Sequence, residues 1–225
     1  MWAWRGDASS SCPSPVWQTR RPRGRSRPNR RSDLSLPPFV PFRLTVCGIE
    51  ELPGHAAAGV THLVSILDPT REALTAFDSY GPHDRIDLRF HDIVEELPDQ
   101  VAPVEQHLES VLAFGRRMSA AAGPGDHLLV HCHMGISRST AAMTLILAQS
   151  RPDLDAAQAL AEVVRIRPQA WPNMRMLEIG GDMLGRRAEL LAALREVYAR
   201  RAAGQVEWLR FLRENHRSRE VAHMG

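Results

Sequence analysis

Two kinds of hydrophobic periodicity alternate along most of the chain, and they predict alternating strands and helices. Residues 84–90 (DRIDLRF) set Ile86, Leu88 and Phe90 against polar neighbours, which is the two-residue period of a half-buried strand. Residues 103–118 instead repeat apolar side chains at intervals of three and four, which is typical of an amphipathic helix. Apolar runs bounded by turn residues predict further strands at 42–48, 60–67 and 127–132.

The other periodic segments predict helices, and the order of the elements gives the fold class. We expect short helices within 50–59 and 71–77, and longer helices at 137–150, 153–166, 172–180 and 185–201. Asp153 and Asn173 are the predicted N-caps of two of them. Strands separated by helices predict an α/β fold with a central, mostly parallel sheet flanked by helices, followed by a helical C-terminal third.

Composition divides the chain near residue 42. Residues 1–41 are rich in Pro, Ser and Arg and have no hydrophobic periodicity, so they cannot bury enough apolar surface to offset the entropy of ordering. We therefore predict a disordered Arg-rich arm over 1–41 and one folded domain over 42–225. Within that domain we expect a core to about residue 180 and C-terminal helices over 181–225.

Charge and cysteine content exclude several classes of partner. All 28 basic residues are Arg; residues 1–42 hold eight Arg against two Asp (+6), and the remainder holds 20 Arg against 24 acidic residues (−4). A net acidic domain opposes nucleic acid, which we do not expect as a partner. No apolar run approaches the roughly 18 residues that cross a bilayer, so no membrane partner is expected. Three scattered cysteines, Cys12, Cys47 and Cys132, indicate a reducing compartment, and we predict a cytoplasmic protein.

The stretch HCHMGISRS, residues 131–139, lies between a predicted strand and a predicted helix. Backbone N–H groups in such a turn, together with the unpaired N–H groups of the first helical turn, form a site for an anion. A helix N-terminus also stabilises a thiolate at Cys132. Gly135 lets the backbone turn, and Arg138 can donate to two phosphate oxygens at once. The chemistry that fits is attack by a thiolate on phosphorus.

Three other interpretations of Cys132 compete with the nucleophile. A buried structural thiol is the commonest fate of a free cysteine. A metal site at His131, Cys132 and His133 is disfavoured because adjacent strand residues point to opposite faces. A protective disulfide with Cys47 is conceivable, but nothing in the sequence brings the two together. We predict no metal and no cofactor.

The same stretch resembles the signature H-C-x-x-G-x-x-R-[ST] of the cysteine-dependent protein tyrosine phosphatase superfamily, above all its dual-specificity-like and atypical bacterial members. GVTHLVSIL and RPQAWPNMRMLE resemble other segments of that family, so the resemblance spans roughly residues 42–180. It implies a phosphatase that works without metal through a phosphocysteine intermediate. In that mechanism Cys132 is the nucleophile, Arg138 clamps the phosphate, Ser139 stabilises the leaving thiolate, and His131 supports the loop and the thiolate. The resemblance also implies that the phosphate is bound by His133, Met134, Gly135, Ile136, Ser137 and Arg138.

The mechanism also requires a general acid, because an alkoxide or phenoxide leaves slowly without a proton. The family takes this acid from a loop that follows a strand upstream of the cysteine. Asp92, just beyond the 84–90 strand, matches that position best. Asp87 within the strand and Asp99 further along the loop stay open as alternatives.

The resemblance implies a protein phosphatase that acts on phosphotyrosine, with phosphoserine and phosphothreonine as further substrates, so a phosphoprotein is the expected partner. The loop residues HMGIS include no fixed positive charge, unlike those of relatives that act on inositol lipids. Two alternatives remain at this point. One is a phosphatase of an RNA 5′ end, a nucleotide or an inositol phosphate; the other is a phosphate-binding module that turns over slowly.

Overall fold

The computed structural model describes residues 38–224 of the chain. Two short 3-10 helices, Ile49–His55 and Thr75–Ser79, accompany the regular elements. The strands are β1 (Arg43–Cys47), β2 (His62–Leu67), β3 (Asp84–Arg89) and β4 (His127–His131). The helices of this part of the chain are α1 (Glu105–Ala121), α2 (Arg138–Ser150), α3 (Ala156–Ile166), α4 (Met174–Leu184), α5 (Arg187–Ala202), α6 (Val206–Glu214) and α7 (Ser218–Ala222).

The four strands form one parallel sheet in the order β1-β4-β2-β3. β4 and nearly all of β2 are buried because each lies inside the sheet and is covered on both faces, which explains their continuous apolar sequences. β3 lies at an edge and keeps the predicted alternation, with Leu88 buried and Asp87 exposed. The predicted α/β fold with a parallel sheet is confirmed.

Helix α2 lies at the centre of the helical layer. It begins near the end of the stretch HCHMGISRS, residues 131–139, which is called the signature loop below, so the packing of α2 holds one end of this loop in place. Helix α2 packs against β4 and against α1, α3 and α4, and every residue from Arg138 to Ala148 is buried. A helix that is apolar all round is expected only where neighbours cover every face. The C-terminal third is helical, as predicted, and α5 packs on α3 and α4 through Leu190, Leu194 and Tyr198.

Three details differ from the sequence prediction. Asp155, not Asp153, caps α3 by accepting a hydrogen bond from Ala157 N–H, while Asp153 forms an ion pair with Arg151. The helix expected at 71–77 is instead the 3-10 helix Thr75–Ser79, shifted by four residues at its start. Helices α6 and α7 lie within the C-terminal helices predicted over 181–225, but the sequence prediction gave them no bounds of their own.

The N-terminal arm predicted over residues 1–41 falls almost wholly outside the described residues. From Pro38 onward the chain forms one compact unit. None of the helices between residues 38 and 224 is long and apolar enough to cross a membrane.

Candidate active site

The signature loop lies at the edge of the sheet where the parallel strands end. β4 ends at His131, Cys132 follows with 2% of its surface exposed, and α2 begins at Arg138. Asp68 follows β2 and Asp92 follows β3, so both carboxylates come to the same edge as the loop. The carboxyl ends of strands in a parallel sheet are the usual place for a ligand site.

The carbonyl groups of the loop all point away from its interior and accept hydrogen bonds from other parts of the chain. The five carbonyls from His133 to Ser137 have donors at 2.8 to 3.3 Å. The donors are Ile49 N–H for His133, the Arg167 guanidinium for Met134 and Gly135, Trp171 N–H for Ile136, and Asn173 N–H for Ser137.

The N–H groups of the same five residues form no hydrogen bond with any described residue. A buried N–H group without an acceptor is rare in proteins, because leaving it unpaired costs free energy. Here five consecutive N–H groups have no acceptor among the described residues, and the unpaired first turn of α2 adjoins them. This arrangement is suited to bind an anion with several oxygen atoms.

The guanidinium of Arg138 is hydrogen-bonded through Nη1, but its Nε is unpaired. Its side chain is 3% exposed, and its Nη1 donates to Asp68 Oδ1 and to the Phe90 carbonyl, each at 2.6 Å. Its Nε is buried and has no partner among the described residues. A bound anion would satisfy this donor as well.

Cys132 and Ser139, to which the resemblance assigns catalytic roles, lie next to each other. Cys132 Sγ lies 3.2 Å from Ser139 Oγ, and both residues are buried. Ser139 is in the first turn of α2, so its hydroxyl can donate to a thiolate at this position.

Asp92 contacts the loop, and three donors converge on one of its two oxygens. Its Oδ1 accepts from Ser137 Oγ at 2.7 Å and from Asn173 Nδ2 at 2.9 Å, and it pairs with Arg217 Nη1 at 3.2 Å. Burial alone would raise the pKa of the Asp92 carboxyl, but the charges of Arg217 and Arg138 and the two hydrogen bonds outweigh it, so the pKa is lowered. The alternatives lie elsewhere: Asp87 pairs with Arg85 on β3, and Asp99 is exposed with φ of 59°.

The two histidines beside Cys132 differ in their surroundings. His131 is fully buried against the Phe77 ring, and burial lowers its pKa to about 4, so its imidazole is neutral at pH 7. It therefore supports the loop by position, through Nδ1 near the Cys132 carbonyl at 3.4 Å, and not by charge. His133 is half-buried, with Nε2 3.8 Å from Asp68 Oδ2.

The remaining loop residues line the site through their backbone. Met134 is 67% exposed, whereas Ser137 is buried and its hydroxyl donates a hydrogen bond to Asp92. Gly135 has φ of 67°, and a Cβ at this residue would lie 2.4 Å from the Cys47 carbonyl carbon. β1 therefore packs too closely for any other residue at this position.

Cys47 and Cys132 lie in different apolar clusters. Cys47 belongs to the smaller apolar cluster around Leu52, Leu63 and Phe77, whereas Cys132 belongs to the main core. Burial raises the pKa of the Cys47 thiol to about 12, so it stays protonated at neutral pH. Both thiols are free.

Sequence reasoning missed three polar residues of the site. Asp68 and Arg217 hold Arg138 and Asp92, and Arg167 holds the outside of the loop while pairing with Glu51 at 2.7 Å. Asn173 was predicted as the cap of α4, which is confirmed by its side chain accepting from Met176 N–H; its contact with Asp92 was not predicted. Only Arg167 had a signal in the sequence, since it begins the RPQAWPN segment.

Among curated proteins, human protein phosphatase Slingshot homolog 3 is 45% identical to this chain over 67 residues. Over those 67 residues the chain is similar to a protein phosphatase, in keeping with the resemblance of residues 131–139 to the phosphatase signature. The match covers 28% of this chain and 10% of the human protein, so the chain spans a small part of that relative's length.

Comparison with solved structures also returns phosphatases. Human DUSP28 has a TM-score of 0.49 and 21% identity over 65% of this chain and 96% of its own. Tk-PTP in its active form has a TM-score of 0.45 and 23% identity over 64% of this chain and 92% of its own. No family model matches the sequence.

Proposed function

We propose that the chain hydrolyses phosphomonoesters through a phosphocysteine intermediate, with phosphotyrosine in proteins as its main substrate and phosphoserine and phosphothreonine as further ones. The observation that supports the reaction best is the run of free N–H groups from His133 to Ser137 next to the unpaired Nε of Arg138. A phosphoryl group has the three oxygens that such a set of donors requires. The activity needs a reduced Cys132, and on that ground we place the protein in the cytoplasm.

In the first step Cys132 Sγ attacks phosphorus, and the bond from phosphorus to the ester oxygen breaks. Asp92 gives its proton to the leaving oxygen, which departs as an alcohol or phenol. Arg138 and the loop N–H groups stabilise the charge on the three equatorial oxygens. The product of this step is a phosphoryl group on Cys132.

In the second step a water molecule attacks phosphorus, and the carboxylate of Asp92 takes its proton. The bond from phosphorus to sulfur breaks, and Ser139 donates a hydrogen bond to the departing thiolate. The step releases inorganic phosphate and restores Asp92 in its protonated form.

The lowered pKa of Asp92 is consistent with this role because the substrate changes its surroundings. Arg138 is one of the charges that lower the pKa of Asp92. A phosphate dianion on Arg138 compensates that charge and brings negative charge near the carboxyl, and both effects favour the protonated form. Asp92 therefore gains its proton when the substrate binds.

Two features favour a phosphoprotein over a polyanionic substrate. The side chains from His133 to Ser137 bring no fixed positive charge to the site. Asp68 places a carboxylate beside the loop, at 3.8 Å from His133, and so disfavours the further phosphates of inositol phosphates or RNA. The Slingshot relative is named a protein phosphatase.

The first test of the reaction uses the full chain with para-nitrophenyl phosphate, reductant and no added metal. We expect Cys132→Ser to abolish turnover and Asp92→Asn to lower kcat by about 100-fold, in the range that a general acid contributes. Asp87→Asn and Asp99→Asn serve as matched controls and should retain activity. Loss of turnover in one of these controls with full activity in Asp92→Asn would reassign the acid.

The second test compares substrates and detects the intermediate. Phosphotyrosine, phosphoserine and phosphothreonine peptides are assayed beside a 5′-phosphorylated RNA, a nucleotide and an inositol phosphate. Acid quenching during turnover should trap one phosphoryl group on Cys132, which peptide mass spectrometry locates. A higher kcat/KM on RNA, nucleotide or inositol phosphate would contradict the substrate class. Tight vanadate binding without any turnover would favour the binding module.

A further inference from the structure

The C-terminal segment reaches the candidate active site, although it lies beyond the part of the sequence that resembles known phosphatases. After α6 the chain turns at His216, where φ is 57°, and Arg217 immediately precedes α7. Arg217 is buried, whereas its neighbours His216 and Ser218 are exposed. A buried guanidinium is found in proteins only where it is paired.

The guanidinium of Arg217 joins three separate segments of the chain. Its Nη1 pairs with Asp92 Oδ1 at 3.2 Å, and its Nη2 donates to Ser137 Oγ at 3.1 Å. Its Nε and Nη2 both donate to Glu220, at 2.8 and 2.7 Å. One rigid fork therefore links the loop after β3, the signature loop and α7.

Glu220 anchors this fork in the helical core. It is fully buried and accepts from Trp171 Nε1 at 2.7 Å and from Tyr198 Oη at 2.9 Å. The Trp171 and Tyr198 rings stack with their centroids 4.2 Å apart. Arg217 cannot shift without breaking this network, so its position relative to Asp92 is well defined.

The arrangement orients the Asp92 carboxyl. Arg217, Ser137 and Asn173 all contact Oδ1, and Oδ2 has no hydrogen bond to any residue between 38 and 224. The oxygen that carries the acid proton must be free to reach the substrate, and Oδ2 meets that requirement. Resting on the phosphatase function proposed above, we infer that Arg217 is a positioning residue for the general acid and that the C-terminal helices are part of the catalytic site.

The test varies the leaving group, because only a poor leaving group needs the acid. The full chain and Arg217→Met are assayed with phenyl phosphate and with 2,4-dinitrophenyl phosphate. We expect kcat/KM for phenyl phosphate to fall by about 10- to 100-fold, within the contribution of a general acid, and kcat/KM for the dinitrophenyl ester to change by less than about three-fold. Arg213→Met, an exposed arginine of α6, is the matched control.

The pH profile gives a second readout that a merely structural role would not change. Activity is lost as pH rises through the pKa of the acid. This loss forms the alkaline limb of the pH–activity profile, and the limb should be absent in Asp92→Asn. The positive charge of Arg217 lowers that pKa, so in Arg217→Met the limb should move to higher pH. Arg217→Lys keeps the charge and should leave the limb close to its original place. The other charged or titratable groups facing Asp92 are Arg138, His133, Tyr198 and Glu220.

Each outcome bears on the inference separately from the proposed function. A parent without turnover, or with turnover that survives Cys132→Ser, overturns the phosphatase proposal and this inference with it. An active parent whose Arg217→Met variant loses activity equally on both esters, with the limb unmoved, overturns this inference alone. If circular dichroism shows that Arg217→Met does not fold, Arg217→Lys and Glu220→Gln are compared in the same way. Equal sensitivity to both esters in these variants also contradicts the inference.

Discussion

At the scale of single residues, the least expected feature is the carboxylate that pairs with Arg138, the arginine proposed to bind phosphate. Asp68 and the Phe90 carbonyl both occupy Nη1 of Arg138 at 2.6 Å. Because Nη1 is held by two acceptors, the plane of the guanidinium is fixed, and the N–H bond of the unpaired Nε is fixed in orientation as well. An arginine fixed in this way does not lose rotamer entropy when the anion binds, which favours catalysis.

Replacing Asp68 tests this arrangement. Asp68→Ala should lower kcat/KM on para-nitrophenyl phosphate by about ten-fold, because a hydrogen bond to a charged group contributes about 1.5–3 kcal/mol and water replaces part of it. Asp68→Asn keeps an acceptor oxygen and should lie between the parent and Asp68→Ala. Steady-state kinetics measures both, with Asp87→Ala, an exposed carboxylate on β3, as the control. A rise in kcat/KM would mean that Asp68 competes with the substrate for Arg138.

At the scale of elements, the sequence predicts well what depends on neighbours along the chain. The two-residue period of β3, the apolar run of β2 and the loop between β4 and α2 are all local, and each was predicted near its place. The cap of α3 was missed by two residues, because Asp153 and Asp155 both precede the same helix. Backbone geometry, not residue type, decides between them.

The signature loop depends on β1 as well as on its own sequence. Gly135 has φ of 67°, and a Cβ would meet the Cys47 carbonyl carbon at 2.4 Å and its oxygen at 2.6 Å. We expect Gly135→Ala to destabilise the fold by about 1–3 kcal/mol, since a strained backbone position costs this much. Because the loop must also move away from β1, vanadate affinity and turnover should both fall.

Thermal unfolding and vanadate titration measure these two effects. Gly54→Ala is the matched control, because a Cβ at Gly54 has no atom within 4 Å. A Gly135→Ala variant with the melting temperature and vanadate affinity of the parent would show that the loop does not need the close contact with β1.

At the scale of the whole molecule, the site combines residues that are far apart in sequence. Asp68 meets Arg138 across 70 positions, and Arg217 meets Ser137 across 80. Such pairs have no periodicity in the sequence, so a single chain does not reveal them. The position of the signature loop between β4 and α2 could be predicted because its pattern lies within nine consecutive residues. The residues that hold it could not, because only the parallel sheet and the C-terminal helices bring them together.

Burial of histidines links the stability of the whole fold to pH. Burial lowers the pKa of His107, His127, His131 and His133, and that of His131 falls to about 4. Below pH 6.5 the unfolded chain binds protons at these residues, whereas the folded chain does not, so acid favours unfolding. For His131 alone the loss between pH 6.5 and 4 amounts to roughly 3 kcal/mol at 1.36 kcal/mol for each unit of pKa difference.

Urea unfolding at pH 7.5, 6.5, 5.5 and 4.5 measures this dependence. The free energy of unfolding should be nearly constant above pH 7 and should fall steadily below pH 6.5. In His131→Gln the fall should be smaller by up to roughly 3 kcal/mol at the lowest pH, because glutamine takes up no proton. Part of the fall remains in the variant because the pKa values of His107, His127 and His133 are also lowered, whereas the stability that ionised Asp92 contributes is lost only at still lower pH. His55→Gln provides the control, and an equal pH dependence in the parent and His131→Gln would mean that His131 is not buried in its neutral form.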